Sequence, residues 1–374
     1  MRRWIRGVTG ALALAGALVP GGLPAAAAAG GDGCAPELKV LPTTESPSWN
    51  DGVNDFGPDG LAVGRAGNLP AYWTGSQLHR VPVPATAYLG GIEAVNGRGL
   101  MVGQVNLSGV HGSVPFTYRA GDAAITPIEV PTTAQSPTAV DVNDHGEVLL
   151  QDLLSTGRSY VVRDGHLLRT ITTPLDLNST TATALDNAGT VVGDGEAPGG
   201  SGFDASSVGM VWPAKDKGTL TLGPAVPTEF GNARWTVRDI DEHGRVVGGV
   251  LRYGERLGHR PAYWDAPYQA AATMVDGPPS HEGHGTFEAI SRTTGLVAGT
   301  AEFQDNAQGI QVPAQAQAWP GTGAALTLPR LAAAHPSYGL AASDNGSIGG
   351  KAEDATGVTH PVIWTCAFQQ GALP

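Results

Sequence analysis

Cysteine, charged residues and long apolar runs are all scarce in this sequence. Only two of the 374 residues are cysteine, charged residues make up 15%, and aromatic residues make up 6%. Beyond the N-terminal segment no apolar run is long enough to cross a bilayer. No stretch there carries the apolar period of an amphipathic helix. These absences argue against a mature protein that spans a membrane and against a helical fold.

The motifs that mark common enzyme classes are also missing. No serine stands in a G-x-S-x-G elbow, and no phosphate- or dinucleotide-binding glycine motif follows a strand and opens a helix. Acid pairs that cleave glycosidic bonds are recognised by their separation in space, so the sequence leaves a glycosidase open. No motif indicates a cofactor, and we expect none.

The charge balance is strongly acidic. The chain has 22 basic and 34 acidic residues, and without the three arginines at the N-terminus its net charge is about −15. A chain this acidic repels phosphate backbones and anionic lipid. Nucleic acids and membrane surfaces are therefore improbable partners.

The N-terminal segment has the three parts of a secretory signal peptide. Three arginines form a positive head, an apolar run follows from Val8 to Leu23, and the alanines at 25–29 offer small-residue cleavage sites. We expect residues 1–29 to be a signal peptide and residues 30–374 to form one domain. The mature protein should then be secreted.

Glycine and proline are abundant, with 54 and 28 residues. Short apolar runs separated by so many turn formers predict many short strands and tight turns. A self-similar unit recurs seven times with a period of about 48 residues, and a glycine opens the second strand of each unit. These glycines are Gly60, Gly99, Gly146, Gly189, Gly244, Gly295 and Gly346.

In most units the first strand ends in Asn, Asp or Ser, three residues before that glycine. Such side chains bond their own backbone two residues further on, and glycine adopts the positive φ that the turn requires. As catalytic acids these residues would be redundant. We therefore assign Asn143, Asp186 and Asp241 to turn structure.

The third strand ends in an aromatic residue in nearly every unit. Five tryptophans occupy this position: Trp73, Trp212, Trp264, Trp319 and Trp364. A row of tryptophans could stack on sugars, but one equivalent position repeated in each unit is typical of packing between layers. We therefore predict that they are core residues. The fourth strand is often closed by proline, which places it at the outer edge.

The seventh unit stops after its third strand, at Trp364, and its fourth strand is found at the other end of the chain. Glu37–Thr44 looks like Gln77–Pro82, the fourth strand of the first unit. The sequence therefore predicts an all-β fold, a seven-bladed β-propeller with four-stranded antiparallel blades, the last completed by the N-terminal strand. The first and sixth units match least well, which leaves six blades as the alternative.

The two cysteines bracket this closure. Cys34 precedes the N-terminal strand and Cys366 follows the third strand of the last unit. A lone cysteine pair in an exported protein is most simply a disulfide, with two unrelated thiols as the alternative. The bridge would replace the turn that joins these strands in the other units.

The repeats resemble the HAF-type extracellular repeat, whose units carry an A-x-D-I-N-x-x-G-x-V-V-G run and then His-Ala-Phe-Leu-Trp. The first run is matched best at Val140–Gly146 and Arg238–Gly248. The second is clearest at His360–Trp364, where proline replaces alanine, and the other units have lost the histidine. The resemblance covers nearly all of the mature chain. It implies an extracellular repeat protein and supplies no mechanism.

In such a propeller the loops between second and third strands share one face with the connections between blades, and here those loops are long. Elaborated loops over a rigid scaffold are where binding and catalytic residues lie. The titratable residues expected on this face are His111, Asp204, His259, His281, His284, Glu302, Asp305 and His360.

The densest group is Ser280–His284. Two imidazoles and a carboxylate could bind a transition metal. The spacing of His281, Glu282 and His284 matches no standard zinc motif, and a solvated loop histidine is the commoner outcome. We therefore expect no metal here.

Three functions remain open at this point. The favoured one is a secreted, non-catalytic, monomeric propeller that binds a protein or glycan through its long-loop face. The second is a secreted polysaccharide lyase or hydrolase with histidine and carboxylates at the channel mouth, and the third is a structural envelope or matrix protein. Two or more loop histidines within hydrogen-bond reach of an acid in one cleft would favour the enzyme.

Overall fold

A computed structural model describes residues 35–153, 157–174, 176–197, 207–214, 218–222, 233–252, 259–302, 304–305 and 311–367. Within these residues the chain forms seven four-stranded sheets and one two-stranded hairpin. All neighbouring strands pair antiparallel. The seven sheets are the blades of a β-propeller, which confirms the predicted fold and blade number.

The strands run in chain order from the axis outwards in blades 1 to 6. Blade 1 contains β2 (Gly52–Phe56), β3 (Ala62–Ala66), β4 (Leu69–Thr74) and β5 (Gln77–Arg80). Blade 2 contains β6 (Ala87–Val95), β7 (Met101–Leu107), β8 (Ser113–Tyr118) and β9 (Thr126–Pro127). Blade 3 contains β10 (Pro137–Val142), β11 (Val148–Asp152), β12 (Ser159–Arg163) and β13 (His166–Ile171). Blade 4 contains β14 (Ser179–Leu185), β15 (Val191–Glu196), β16 (Ser207–Trp212) and β17 (Leu220–Thr221).

Blades 5 to 7 complete the ring. Blade 5 contains β18 (Ala233–Ile240), β19 (Val246–Arg252), β20 (His259–Trp264) and β21 (Thr273–Met274). Blade 6 contains β22 (Gly285–Ile290), β23 (Val297–Ala301), β26 (Gln315–Trp319) and β27 (Leu326–Thr327), and the hairpin β24 (Gln304–Asp305) and β25 (Gln311–Val312) lies between its second and third strands. Blade 7 contains β28 (Ser337–Ala342), β29 (Ile348–Glu353), β30 (Thr359–Thr365) and β1 (Glu37–Val40).

The N-terminal strand closes the ring as predicted. Leu38 pairs with Trp364 across β1 and β30, and the N–H of Leu41 donates to the carbonyl of Pro361 at 2.9 Å. The side chain of Leu41 is 1% exposed, so the end of β1 is anchored by burial as well as by backbone pairing. Cys34 lies outside the described residues, and the disulfide with Cys366 stays a prediction.

The repeated tryptophans are core residues, as predicted. All five are buried, and none is more than 6% exposed. The indole N–H of Trp73 donates to the carbonyl of Pro42 at 2.8 Å. That of Trp364 donates to Pro329 at 2.7 Å. These positions pack one blade against the next and cannot receive a ligand.

The turns on the face opposite the long loops also follow the prediction. The side chain of Asn143 accepts the backbone N–H of His145 and Glu147, both at 3.0 Å. Asp241 does the same for His243 at 2.9 Å and Arg245 at 2.7 Å. The repeated Asx residues are therefore turn formers.

Every innermost strand contains a β-bulge just before its last two residues. A bulge leaves one residue out of the ladder and bends the strand. The seven unmatched residues are Asn54, Glu93, Val140, Thr183, Arg238, Glu288 and Leu340. All seven line one opening around the propeller axis, which we call the axial opening.

The bulge explains the recurring glycine inside the second strand of most blades. A Cβ on Gly64, for example, would lie 2.0 Å from the carbonyl oxygen of Gly52 in the strand beside it. A Cβ on Gly103 or Gly248 would meet a backbone oxygen at 2.0 and 1.9 Å. The close approach of two backbones, rather than a turn, therefore requires glycine here.

We expect Gly64→Ala to lower the free energy of unfolding by about 2 kcal/mol or more, because the methyl group displaces backbone rather than a flexible side chain. Gly52→Ala is the matched control, since its Cβ would meet nothing closer than the Cβ of Lys351 at 3.4 Å. Urea unfolding of both variants measures the difference. Equal losses would contradict this explanation of the repeated glycine.

Candidate functional site

A cleft of about 560 Å³ opens on the long-loop face between blades 5, 6 and 7. Its charged lining residues are Arg238, His259, Glu288, Glu302, Lys351 and Glu353, and Trp49 stands at its edge. Trp49 belongs to the connection from β1 to β2, which joins blade 7 to blade 1. The cleft is therefore built from strand ends of three blades and from the segment that follows ring closure.

A histidine and a glutamate form the most tightly bonded pair in the cleft. His259 opens β20 and Glu302 follows β23; their Nδ1 and Oε1 atoms lie 2.5 Å apart. The backbone N–H of His259 donates to the other carboxylate oxygen at 3.0 Å, and Thr286 Oγ1 donates to Oε1 at 3.3 Å. Burial raises the pKa of Glu302, but its bonds to His259 outweigh this and leave the pKa lowered. These bonds hold the carboxylate of Glu302 and the ring of His259 in defined positions beside the cleft.

A second ion pair lies where the cleft meets the axial opening. The Nε of Arg238 is 3.1 Å from the Oε2 of Glu288, and both are bulge residues of neighbouring innermost strands. Burial raises the pKa of Glu288, although the charge of Arg238 opposes this. These two residues and Leu340 line both cavities, so the cleft and the axial opening are adjacent.

Trp49 is the most unusual residue of the site. Its side chain is 73% exposed. Lys351 Nζ donates to the backbone carbonyl of Trp49 at 3.2 Å and lies 5.5 Å from its ring centroid. The same ammonium lies 5.2 Å from the ring of Tyr338, and burial lowers the pKa of Lys351. The exposed indole offers a flat apolar surface beside polar groups.

The axial opening has a volume of about 460 Å³ and a polar lining. Besides the bulge residues it is lined by Arg65, Gln104, Thr138, Gln151 and Thr181. Glu93 pairs with the guanidinium of Arg65 and accepts the amide of Gln104 at 2.8 Å. Charges are thus balanced in pairs, and most of the remaining surface consists of amides and hydroxyls.

Three partly buried aspartates encircle the axis towards the short-turn face. Each follows a bulge, in blades 1, 3 and 5, and accepts a backbone N–H from the next blade. Asp55 accepts that of Val95 at 2.8 Å, Asp141 that of Leu185 at 2.7 Å, and Asp239 that of Ile290 at 2.9 Å. Burial raises the pKa of Asp55 to about 6 and that of Asp239 to about 8. These carboxylates fasten blades together.

Arg292 supplies the positive charge among these aspartates. It lies in the turn after β22, and its guanidinium donates to the carbonyls of Val95 at 3.0 Å and Val142 at 3.3 Å. It also contacts Asp144 at 3.3 Å. Blades 2 and 3 lie opposite blade 6 in a ring of seven, so this side chain crosses the axis. The channel is thereby closed at the short-turn face.

The predicted histidines are dispersed rather than gathered. His259 alone among them lines the cleft with an acid within hydrogen-bond reach. His360 pairs with Asp354 at 2.9 Å away from the cleft lining, and His111 is exposed in the loop after β7. Asp204 lies outside the described residues, and of Asp305 only the backbone is described.

The group at 281–284 is structural. His281 is 0% exposed; its Nε2 lies 3.1 Å from the carbonyl of Pro313 and its Nδ1 2.9 Å from Ser280 Oγ. Burial lowers its pKa. His284 is 4% exposed, and the carbonyl of Glu282 accepts a bond from Arg260 at 3.0 Å. The described residues contain no group of three metal-ligating side chains in position to hold an ion.

Sequence reasoning missed most of the site. It placed His259 and Glu302 on the correct face, but it passed over Arg238, Glu288, Lys351 and Trp49. The one available signal was that Trp49 lies outside the repeated tryptophan position, and this signal is weak because Trp235 also lies outside it and is buried. The bulge residues gave no such signal because their identities differ from blade to blade.

Several solved structures are similar in fold to this chain. One is the β-propeller domain of the Trilobed protease from Pyrococcus furiosus, which has an open velcro topology, with a TM-score of 0.54 at 10% identity over 84% of this chain and 94% of that one. A prolyl endopeptidase gives 0.51 at 11% identity, over 82% of this chain and 49% of that one. YCF48 bound to D1 peptide gives 0.47 at 12% identity, over 89% and 98%.

These likenesses show the fold alone, because the identities are so low. A scan against protein-family models and a search of curated proteins both find no match. The HAF resemblance therefore stays a prediction. No helix in the described part of the chain is long and apolar enough to cross a membrane.

Proposed function

We propose that this protein is a secreted, non-catalytic propeller of the HAF-repeat type that binds a carbohydrate through the cleft. The observation that carries the proposal is Trp49, an exposed indole at the edge of a cavity rich in paired polar groups. The C–H face of a sugar ring stacks on such a surface, and its hydroxyls can bond to carboxylate, guanidinium and hydroxyl groups.

The arrangement of the histidines favours binding over catalysis. A histidine-based hydrolase or lyase site needs several titratable groups converging on one point of the substrate. The cleft offers a single histidine, and that histidine is engaged by Glu302 through both its ring and its backbone. No second histidine of the described residues lines the cleft beside it.

A hydrolase is nevertheless a second candidate, and a specific observation favours it. Glu288 and Glu302 line the same cleft, and their pKa values are displaced in opposite directions. Two carboxylates whose pKa values differ in this way can serve as the acid and the base of glycoside cleavage. The ion pair of Glu288 with Arg238 argues against an acid role, since a free proton donor is needed.

We expect Trp49→Ala to weaken binding to glycans at least tenfold, because it removes the stacking surface and leaves the fold intact. Mature protein would be screened on a glycan array, and the ligands found would be measured by titration calorimetry. Tyr88→Ala is the control, since Tyr88 is also 59% exposed but lies in blade 2 away from the cleft. Equal affinity of the Trp49 variant and the wild type would refute the site.

The same ligands distinguish the binding function from the hydrolase function. Incubation with the protein should release no reducing sugar if binding is the function. Release that is lost in Glu288→Gln and Glu302→Gln, while binding persists, would establish the hydrolase instead. N-terminal sequencing of protein collected from the medium would test secretion and cleavage near residue 29.

A further inference from the structure

The cleft and the axial opening are adjacent and lie along one path into the propeller. They share Arg238, Glu288 and Leu340, so the region beside Trp49 borders the region around the axis. Each has a volume within the range that holds a small ligand. A ligand larger than one sugar could therefore occupy both.

The inner part of this path is lined by polar side chains that a ligand can reach. Asn54, Gln104, Gln151, Thr181 and Thr183 line the axial opening and are partly exposed, so they offer amide and hydroxyl groups to it. A sugar hydroxyl can donate to such groups or accept from them.

The path ends inside the protein. The innermost strands run from the long-loop face to the short-turn face, so the aspartates lie deeper than the bulge residues that precede them. Beyond the axial opening the side chain of Arg292 crosses the axis and bonds to Val95 and Val142 on the opposite side. A chain that enters from the long-loop face cannot pass through. Its terminus must stop in the axial opening.

We propose that the site recognises the end of an oligosaccharide chain, with the terminal sugar in the axial opening and the preceding sugars along the cleft to Trp49. The terminal sugar is neutral, because both pairs of charges around it, Arg65 with Glu93 and Arg238 with Glu288, are balanced internally. A carboxylated or aminated end would disturb one pair. This inference rests on the proposed carbohydrate-binding function and adds the part of the glycan that is bound.

The test uses the mature protein and neutral cello-, xylo-, malto- and laminari-oligosaccharides of two to six residues, with the corresponding polymers. In titration calorimetry, end recognition predicts that affinity rises with length and then levels off, with one protein bound per chain whatever its length. A bulky aromatic group attached at one end of the hexamer should weaken binding at least tenfold. The same group at the other end should have little effect.

Two variants locate the terminal sugar. Gln104→Leu and Thr183→Val remove polar atoms from the axial opening without adding bulk, and we expect each to weaken binding at least fivefold. Thr126→Val, on the outer edge of blade 2, is the control and should bind like the wild type. Circular dichroism and melting temperature would show that all three variants fold.

The outcomes distinguish this inference from the proposal on which it rests. Protein bound in proportion to polymer length, with both end-blocked hexamers binding normally, would overturn end recognition and leave carbohydrate binding intact. Unchanged binding by both Gln104→Leu and Thr183→Val would also overturn end recognition and leave carbohydrate binding intact. Failure of every saccharide to bind would refute the carbohydrate function itself.

Discussion

Arg292→Met is expected to lower the free energy of unfolding by about 2–3 kcal/mol near pH 8, less than the cost of breaking a fully buried charge pair, because the guanidinium is only partly buried. The guanidinium lies among Asp55, Asp141 and Asp239, which are partly buried and bonded to backbone N–H groups. Without it these carboxylates, which line a cavity of about 400 Å³ at the short-turn face, lose their positive neighbour. Urea unfolding of the wild type and variant measures the loss.

The loss of stability caused by Arg292→Met should be smaller near pH 5 than near pH 8. The folded-state pKa values of Asp55 and Asp239, about 6 and about 8, lie above the ordinary value of 3.8. The folded state therefore binds protons more tightly than the unfolded state. The contribution of these groups to stability is present below about pH 4 and declines as the pH rises towards 8. Arg292 favours their ionised forms, so its removal should cost less near pH 5 than near pH 8.

A control and a second variant make this prediction specific. Arg119 is exposed and its guanidinium donates to the carbonyl of Arg98 at 2.7 Å, so Arg119→Met should cost less than about 1 kcal/mol at either pH. Adding Asp239→Asn to Arg292→Met should restore part of the stability near pH 8, since one negative charge is gone. An Arg292 loss that is the same at both pH values would contradict the electrostatic account.

A chain that begins at residue 45 is expected to lose stability on the order of 5 kcal/mol, because blade 7 then lacks β1. The missing segment buries Leu41 and pairs Leu38 with Trp364. Burying one such side chain contributes about 1.5–3 kcal/mol, and each backbone hydrogen bond adds about 1 kcal/mol. Thermal unfolding followed by circular dichroism would measure the loss.

A peptide that supplies the missing strand should restore part of the lost stability. A synthetic peptide of residues 35–44 should raise the melting temperature of the shortened chain, as strand addition to an open sheet edge does. The same peptide with serine in place of Leu38 and Leu41 should have no effect. Full-length Cys34→Ser separates the covalent contribution from the pairing, because it keeps β1. A shortened chain that melts like the full-length protein would refute closure by this strand.

The fold was predictable because its determinants are local and repeated. The turn at Asn143 or Asp241 needs an Asx side chain and a following glycine, and this pattern recurs in most blades, so the repeat can be recognised in the sequence. Ring closure followed from the missing fourth strand of the last unit. The pairing of Leu38 with Trp364 confirmed it.

The site was less predictable because its determinants are neither local nor repeated. The bulge residues have equivalent places but different chemistry, so Arg238 and Glu288 look like ordinary strand residues in the sequence. The extra residue in the turn at 291–296 was visible as an irregularity of the sixth unit. That it carries Arg292 across the axis depends on the whole ring being assembled.

The order of the strands also determines when folding of this protein can be completed. Its outermost closing strand is synthesised first and its three partners last, so a growing chain carries Leu38 and Leu41 without their partners until the other six blades have been made. Until then the first and last blades each lack one of their two neighbours, and the axis is not enclosed. The pathway to the native state therefore has one decisive late event, the meeting of the two ends. A factor that delays folding until synthesis is complete would favour that event.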